Sequence, residues 1–332
     1  MRLESYTKTF QERARAFFDR ILETQGPALF RDTLFLSFLG ARICYASSPP
    51  LSLFREKRFR EEDELLAFLT RLKASGHTSV FAHSPLVVPV ELKTEEAFSL
   101  ARVLYKAWWT EDGQKVCLNL RHFAEVYEED IFKEILATSL KESRAWSEFR
   151  CFQVGFPRPG EPELKKEGPL GDFIHQGERP SGLWATPEIV VIEVPPEITS
   201  PFGWLAVIVE GMSRLFSHQF VRHTWLNFNQ RSHRYTEVDQ FVCPPSFTTE
   251  AQKLYQEEIE KGLSLYRQLV QQGIKKEDAR FVTPQGSATT ILATGPVLVW
   301  EDFVLKRRHL KAQWEIRNLA RALELVLAKI NL

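Results

Sequence analysis

The chain has 332 residues, with 43 Lys plus Arg against 43 Asp plus Glu and a formal net charge of zero. It is 44% hydrophobic and 26% charged, which excludes a disordered chain and supplies core for one large domain or two ordinary ones. The balanced charge argues against a general nucleic-acid binder, and no apolar run approaches the ~18 residues of a membrane helix. Residues 8–24 carry Phe10, Ala14, Phe17, Phe18, Ile21 and Leu22 at helical spacing. Residues 33–46 form an apolar run that suits either a buried strand or a helix. A helix is predicted over 61–74, stopped at Ser75-Gly76, followed by a strand over 86–92. Helices are expected over 95–109 and 120–142. Residues 155–187 are rich in Pro, Gly and charge and read as a long loop. A strand follows over 188–194, then an apolar run over 204–209 and a helix from Met212. Helices are also expected over 248–272 and at the C-terminus. There Ile316, Leu319, Ala320, Leu323, Val326, Leu327 and Ile330 recur at three- and four-residue steps.

The first residues, Met1 to Tyr6, lack the pattern of an export signal. Cys44, Cys117, Cys151 and Cys243 lie far apart with no CxxC, which excludes a zinc ribbon or a thioredoxin-like motif. Free thiols and a cytoplasmic location are therefore expected. None of these cysteines stands in a context that marks a nucleophile. His77 and His83, without a nearby carboxylate, are a weak metal signal; no metal is expected, and a hydrogen-bonded structural role is preferred. No glycine-rich phosphate loop of the dinucleotide or P-loop type is present.

The densest polar cluster runs from Ser217 to Tyr235 and interleaves arginines, histidines and amides with aromatic residues. Guanidinium forks suit phosphate, and Asn, Gln and Ser can read a base or a flavin ring. Taken by composition alone, a solvated loop with capping residues is the preferred reading of this stretch. Two smaller patches, Asp278 to Pro284 and Lys306 to Arg317, carry no assignment by themselves; cations ending one helix account for the second.

Together the blocks resemble the flavin-dependent thymidylate synthases of the ThyX type. The residues that carry the likeness are Glu210 to His223, continued through Gln230 to Tyr235, and Gly76 to His83. Asp278 to Pro284 with Arg307 and Ala312 to Arg317 add to it, as does Ala41-Arg42-Ile43-Cys44-Tyr45-Ala46. The resemblance implies an α/β (α+β) fold, a mixed sheet flanked by helices. Residues 1–92 and 203–332 would form its core, with 93–202 as an inserted helical and loop subdomain. It implies a homotetramer, FAD as cofactor, and transfer of a methylene from methylenetetrahydrofolate to C5 of dUMP, with NADPH reducing the flavin. Gln219, Arg222, Gln230, Ser232, Arg234, Arg280 and Arg307 would bind dUMP. Arg234 and Arg280 would take its phosphate, Ser232 would lie near the base, and Arg307 would stabilise negative charge on the pyrimidine. His77, Ser79, Arg222, His223, Thr224, Gln230 and Asp302 would face FAD. The chain departs from the family pattern on the flavin side. Thr224 stands where the motif has Arg, Asn227 where it has Ser, Ala82 where it has Glu, and Pro296 and Leu298 where it has the Asn and Arg of an Asn-x-Arg. A related enzyme working without flavin, or a non-catalytic nucleotide-binding homologue, are the other readings.

Overall fold

The computed structural model describes residues 3–91, 100–101, 104–142, 146–158, 160–174 and 182–330. Of the expected helix over 95–109, residues 95–99 and 102–103 lie outside them, and Trp108–Trp109 is strand rather than helix. Two sheets organise the chain. Strands β1 (Pro85–Pro89), β2 (Trp108–Trp109) and β3 (Lys115–Asn119) form the smaller one, in the order β1-β3-β2. The larger has six strands: β4 (Arg150–Arg158), β5 (Glu161–Pro169), β6 (Glu188–Val194), β7 (Trp204–Ser213), β8 (Asn227–Gln230) and β9 (Ala288–Gly295). Their order is β5-β4-β6-β7-β9-β8. The fold is α+β, as expected. Every ladder between named strands is antiparallel, so the parallel component of the expected mixed sheet is a single bridge, Trp184 to Phe241.

The interior strands β6 and β7 are near-continuous runs of Val, Ile, Leu and Ala buried on both faces, the pattern of strands covered on two sides. One cover is the N-terminal layer: α1 (Leu3–Gln25), α2 (Leu34–Tyr45), α3 (Glu62–Ala74), α4 (Leu120–Val126) and α5 (Glu129–Lys141). Its core shares one cluster with Trp204, Ala206, Ile208 and Leu292 of the sheet. The other face carries Val207, Val209, Ile291 and Ala293. It packs on α6 (Arg214–Phe220), α8 (Val297–Arg307) and α9 (Trp314–Ile330). A long amphipathic helix, α7 (Thr249–Gln271), contributes Ile259 and Leu263 to a small satellite cluster with Val238 and Phe241.

Two further expectations are corrected. Residues 155–187 are not one long loop: β4 and β5 form a hairpin around Gly160, whose φ of +81 suits a tight reversal. The glycines and charges there mark a turn and an exposed edge strand, where charge discourages pairing with other chains. The helix over 120–142 is two helices, because Tyr127 and Glu128 adopt extended backbone. Across the expected boundary at 202, β6 pairs with β7 from Glu188–Glu210 to Val194–Trp204. Strands β4, β5 and β6 thus belong to the main sheet, with β6 covering one edge of β7.

Candidate functional site

Strand β7 delivers the first site residues. Gly211 has φ of +74 and a Cβ there would meet the Thr186 carbonyl oxygen at 2.4 Å, so only glycine fits the bulge. Ser213 then caps α6, its hydroxyl accepting from the Phe216 amide at 3.1 Å. Glu315 secures this junction, accepting from the Ser213 amide at 2.7 Å and from its hydroxyl at 2.5 Å.

A cationic cavity opens at the N-terminal end of α6. It measures about 200 Å³ and is lined by Arg214, His218, His233, Arg280, Thr283 and Ser287, among others. Arg214 has its pKa lowered, by burial and then by the nearby Arg280 cation. Arg280 donates from Nε to the Glu277 carbonyl at 3.1 Å. Among the described residues no carboxylate pairs with Arg214 or Arg280, so the potential there favours an anion. Arg234 reaches the same segment by an ion pair to Glu277 at 2.6 Å. Two blocks distant in sequence, 232–235 and 277–283, thereby meet.

Ser232 sits at the turn before Arg234: its amide donates to the Cys44 carbonyl at 3.0 Å and its hydroxyl accepts from the Arg234 amide at 3.3 Å. Tyr45 packs against Tyr235 with ring centroids 5.0 Å apart and against His77 at 6.2 Å. The early block around Tyr45 and the His77 block are thus gathered on the Arg234 side. Ser79 is exposed on the 3₁₀ turn after His77. Gln219 is half-buried on α6, while Gln230 is half-buried on β8, with its amide nitrogen on Thr289 Oγ1 at 3.1 Å.

A second cationic group lies at the other end of α6. Arg307 donates from Nε to His223 Nε2 at 2.8 Å, and the His223 ring packs edge-on against Phe303 at 4.7 Å. The His223 pKa is pushed down to about 4, by burial and then by Arg307. A neutral ring is what lets Nε2 accept, and it leaves the other nitrogens of Arg307 for an anion. Asp302 pairs with Lys306 at 2.6 Å and also bears electrostatically on His223. Arg222 and Thr224 are exposed beside this group. Seven residues of helix separate the two groups, about 10 Å at 1.5 Å per residue.

Beneath both runs a buried polar network. His83 is fully buried, with Nδ1 2.9 Å from Thr294 Oγ1 and Nε2 2.7 Å from Asn229 Oδ1. Asn229 in turn donates to Cys44 Sγ at 3.0 Å. His83 is structural, as preferred from its sequence context. Among the described residues no group of three or more His, Cys, Asp or Glu is disposed to hold a metal. Sequence reasoning missed Arg214, His218 and His233 as lining residues. The first two stand within the resembling block, and one helical turn puts both on one side of α6. It also missed Lys106, for which no signal existed.

Fold and site together define an α+β protein with paired cationic sites suited to a phosphorylated ligand. Residues 204–330 match the model of the family described as thymidylate synthase complementing protein. Flavin-dependent thymidylate synthases are similar to it: that of Sulfurisphaera tokodaii is 36% identical over 116 residues, 34% of this chain and 45% of the relative. That of Pyrococcus furiosus is 34% identical over 120 residues (34% and 49%), and that of Geobacter sulfurreducens 38% over 118 (34% and 51%). The chain spans about half the length of these curated relatives. A solved UMP/dUMP methylase of Streptomyces cacaoi bound with 5-Br dUMP aligns at a TM-score of 0.37. It is 23% identical, and the alignment covers 39% of this chain and 69% of that one.

Proposed function

We propose that the chain is a methyltransferase of the flavin-dependent thymidylate synthase type, acting at C5 of dUMP. The observation that carries this reading is the meeting of Arg214 and Arg280, neither paired with a carboxylate among the described residues, at one cationic cavity, with Arg234 joined to the same segment through Glu277. A cavity of about 200 Å³ is smaller than the ~300 Å³ at which small-molecule pockets begin. It suits the phosphate of a nucleotide rather than the whole, so the remainder would be contributed by a second copy. A homotetramer is the assembly proposed.

Arg234, Arg280 and Arg214 take the phosphate as charge-assisted donors. Ser232, Gln219, Gln230 and Arg222 read the sugar and base. Arg307, held by the neutral His223, presents its remaining N–H groups to negative charge developing on the pyrimidine. FAD is the proposed cofactor, and the donor set fits it. Exposed aromatic faces at Tyr105, Trp225 and Tyr235 stand among cations at Arg222, Arg234 and Lys106, a combination that suits a planar ring with a diphosphate. His77, Ser79, Arg222, His223, Thr224, Gln230 and Asp302 are its proposed contacts. When bound, FAD would supply the chemistry of methylene and hydride transfer, with methylenetetrahydrofolate and NADPH as the proposed co-substrates.

A cytoplasmic location is supported by four free cysteines. Among the described residues no helix is long and apolar enough to cross a membrane.

The test is a reaction with dUMP, FAD, NADPH and methylenetetrahydrofolate, scored for thymidylate. The purified protein is also examined for the flavin absorbance band. Product formation is expected; dUMP binding without flavin or product would turn the assignment to the second reading, a flavin-independent enzyme on a nucleotide. The Thr at 224 and Asn at 227 are what favour that second reading.

A further inference from the structure

Residues 104–109 lie outside the family match, yet their polar contacts run into the motif loop. Tyr105 donates from its hydroxyl to the Thr224 carbonyl at 3.3 Å. Lys106 Nζ donates to the Leu226 carbonyl at 2.5 Å and to Asn227 Oδ1 at 3.3 Å. The Trp108 ring packs on Trp225 with centroids 5.4 Å apart. Asn227 completes the chain of contacts, its amide nitrogen donating to the Ala82 carbonyl at 3.0 Å. Positions 82, 224 and 227 are three of those at which the sequence departs from the pattern it resembles; Pro296 and Leu298, the others, lie outside this contact set. One contact set joins all three, and residues 105 and 106 supply its anchor.

Lys106 is held there against its backbone preference. Its φ is +62, the left-handed region that non-glycine residues seldom occupy. The ammonium is half-buried and, among the described residues, meets no carboxylate. Its charged surroundings are Arg121, itself paired with Glu125 at 2.6 Å, and the Tyr105 ring at 5.3 Å. His83, which the ammonium helps to keep neutral, and His122, bound to the Tyr105 carbonyl at 2.9 Å, complete the set.

We propose that Lys106 is a positioning residue for the 222–227 loop and its substitute cation, fixing the turn and supplying positive charge where the motif's arginine is missing. This rests on the flavin reading above for its ligand, and on contacts alone for its positioning role. The amine has its pKa lowered to about 8, by burial and then by Arg121. Its charge is therefore lost within an accessible pH range, whereas an arginine at the same place stays charged.

The experiment titrates FAD by fluorescence quenching against the wild type, Lys106→Arg and Lys106→Met from neutral to alkaline pH. Backbone hydrogen exchange of residues 224–230 is followed in parallel. The wild type is expected to lose about tenfold in affinity, the change in ΔG of one charge-assisted hydrogen bond, as pH rises through about 8. Lys106→Arg holds its affinity across the range. Lys106→Met binds weakly throughout, and its 224–230 amides exchange faster. Equal affinity and pH profile in Lys106→Met and wild type overturn the proposal. If the wild type binds no FAD at all, the flavin reading fails, and exchange alone decides: faster exchange in Lys106→Met upholds the positioning role, and unchanged exchange overturns it.

Discussion

His83 fills the space over Gly40 so closely that a Cβ on residue 40 would lie 2.4 Å from its Cδ2 and 2.9 Å from its Nε2. The ring cannot swing aside, because Thr294 and Asn229 hold both of its nitrogens. Gly40→Ala is therefore expected to destabilise by about 1–3 kcal/mol, the usual range for overpacking a dense core. Urea unfolding measures this, and an unchanged midpoint would mean that α2 shifts freely. The same ring makes stability depend on pH. Its pKa is pushed from 6.5 down to about 4, chiefly by burial, with Lys106 adding to the effect. The folded form thus resists a proton that the unfolded chain accepts near 6.5. The stability it contributes is complete above that pH and is lost as pH falls toward 4, at up to about 1.4 kcal/mol per pH unit. His223 acts in the same direction. A His83→Gln variant, which keeps amide partners for Thr294 and Asn229 but cannot titrate, should show a flatter decline of melting temperature with acid. Parallel curves would place the titration elsewhere.

Glu315 ties the start of α9 to the junction of β7 and α6. It is 2% exposed and accepts from both Ser213 groups and from Gln313 Nε2 at 2.8 Å. Burial raises its pKa despite these donors, so its acceptor geometry counts for more than its charge. Glu315→Gln, which can still accept from the Ser213 amide, should be the milder change. Glu315→Ala leaves a buried N–H unpaired and should cost about 1–3 kcal/mol; equal stability of the two variants in chemical denaturation would contradict this. The elements meeting here were readable in the sequence to different degrees. The stripe from Ile316 to Ile330 gives α9 because its apolar residues recur at three- and four-residue steps along one face. The β4–β5 hairpin was misread because β5 is an exposed edge strand, so its polar and charged residues mimic a loop. Arg234, Arg280 and Arg307 were legible only through the resemblance of several ordered blocks, since by composition each patch also suits a solvated surface, and Arg214 was not singled out at all. The Lys106 contact was not, because it spans 120 positions between segments that share no pattern.

The family match begins at Trp204, yet the fold offers no place to cut there. Strand β7 needs β6 along one edge, from Glu188–Glu210 to Val194–Trp204. Trp204, Ala206, Ile208 and Leu292 share a core with the N-terminal helices. His83 and Cys44, also N-terminal, hold Asn229 of β8. Residues 204–332 alone would therefore expose an unpaired apolar edge and one bare face of the sheet, the conditions for aggregation. The fragment is expected to be insoluble or to lack a cooperative melting transition and a near-ultraviolet circular dichroism signal. Co-expression with residues 1–203 should restore both, because the two pieces together contain every strand and its partner. A sharp transition from the isolated fragment would mean that the matched region folds by itself and that the N-terminal half is an appendage. Its contacts at Cys44, His83 and Lys106 would then be additions to a finished site rather than parts of it.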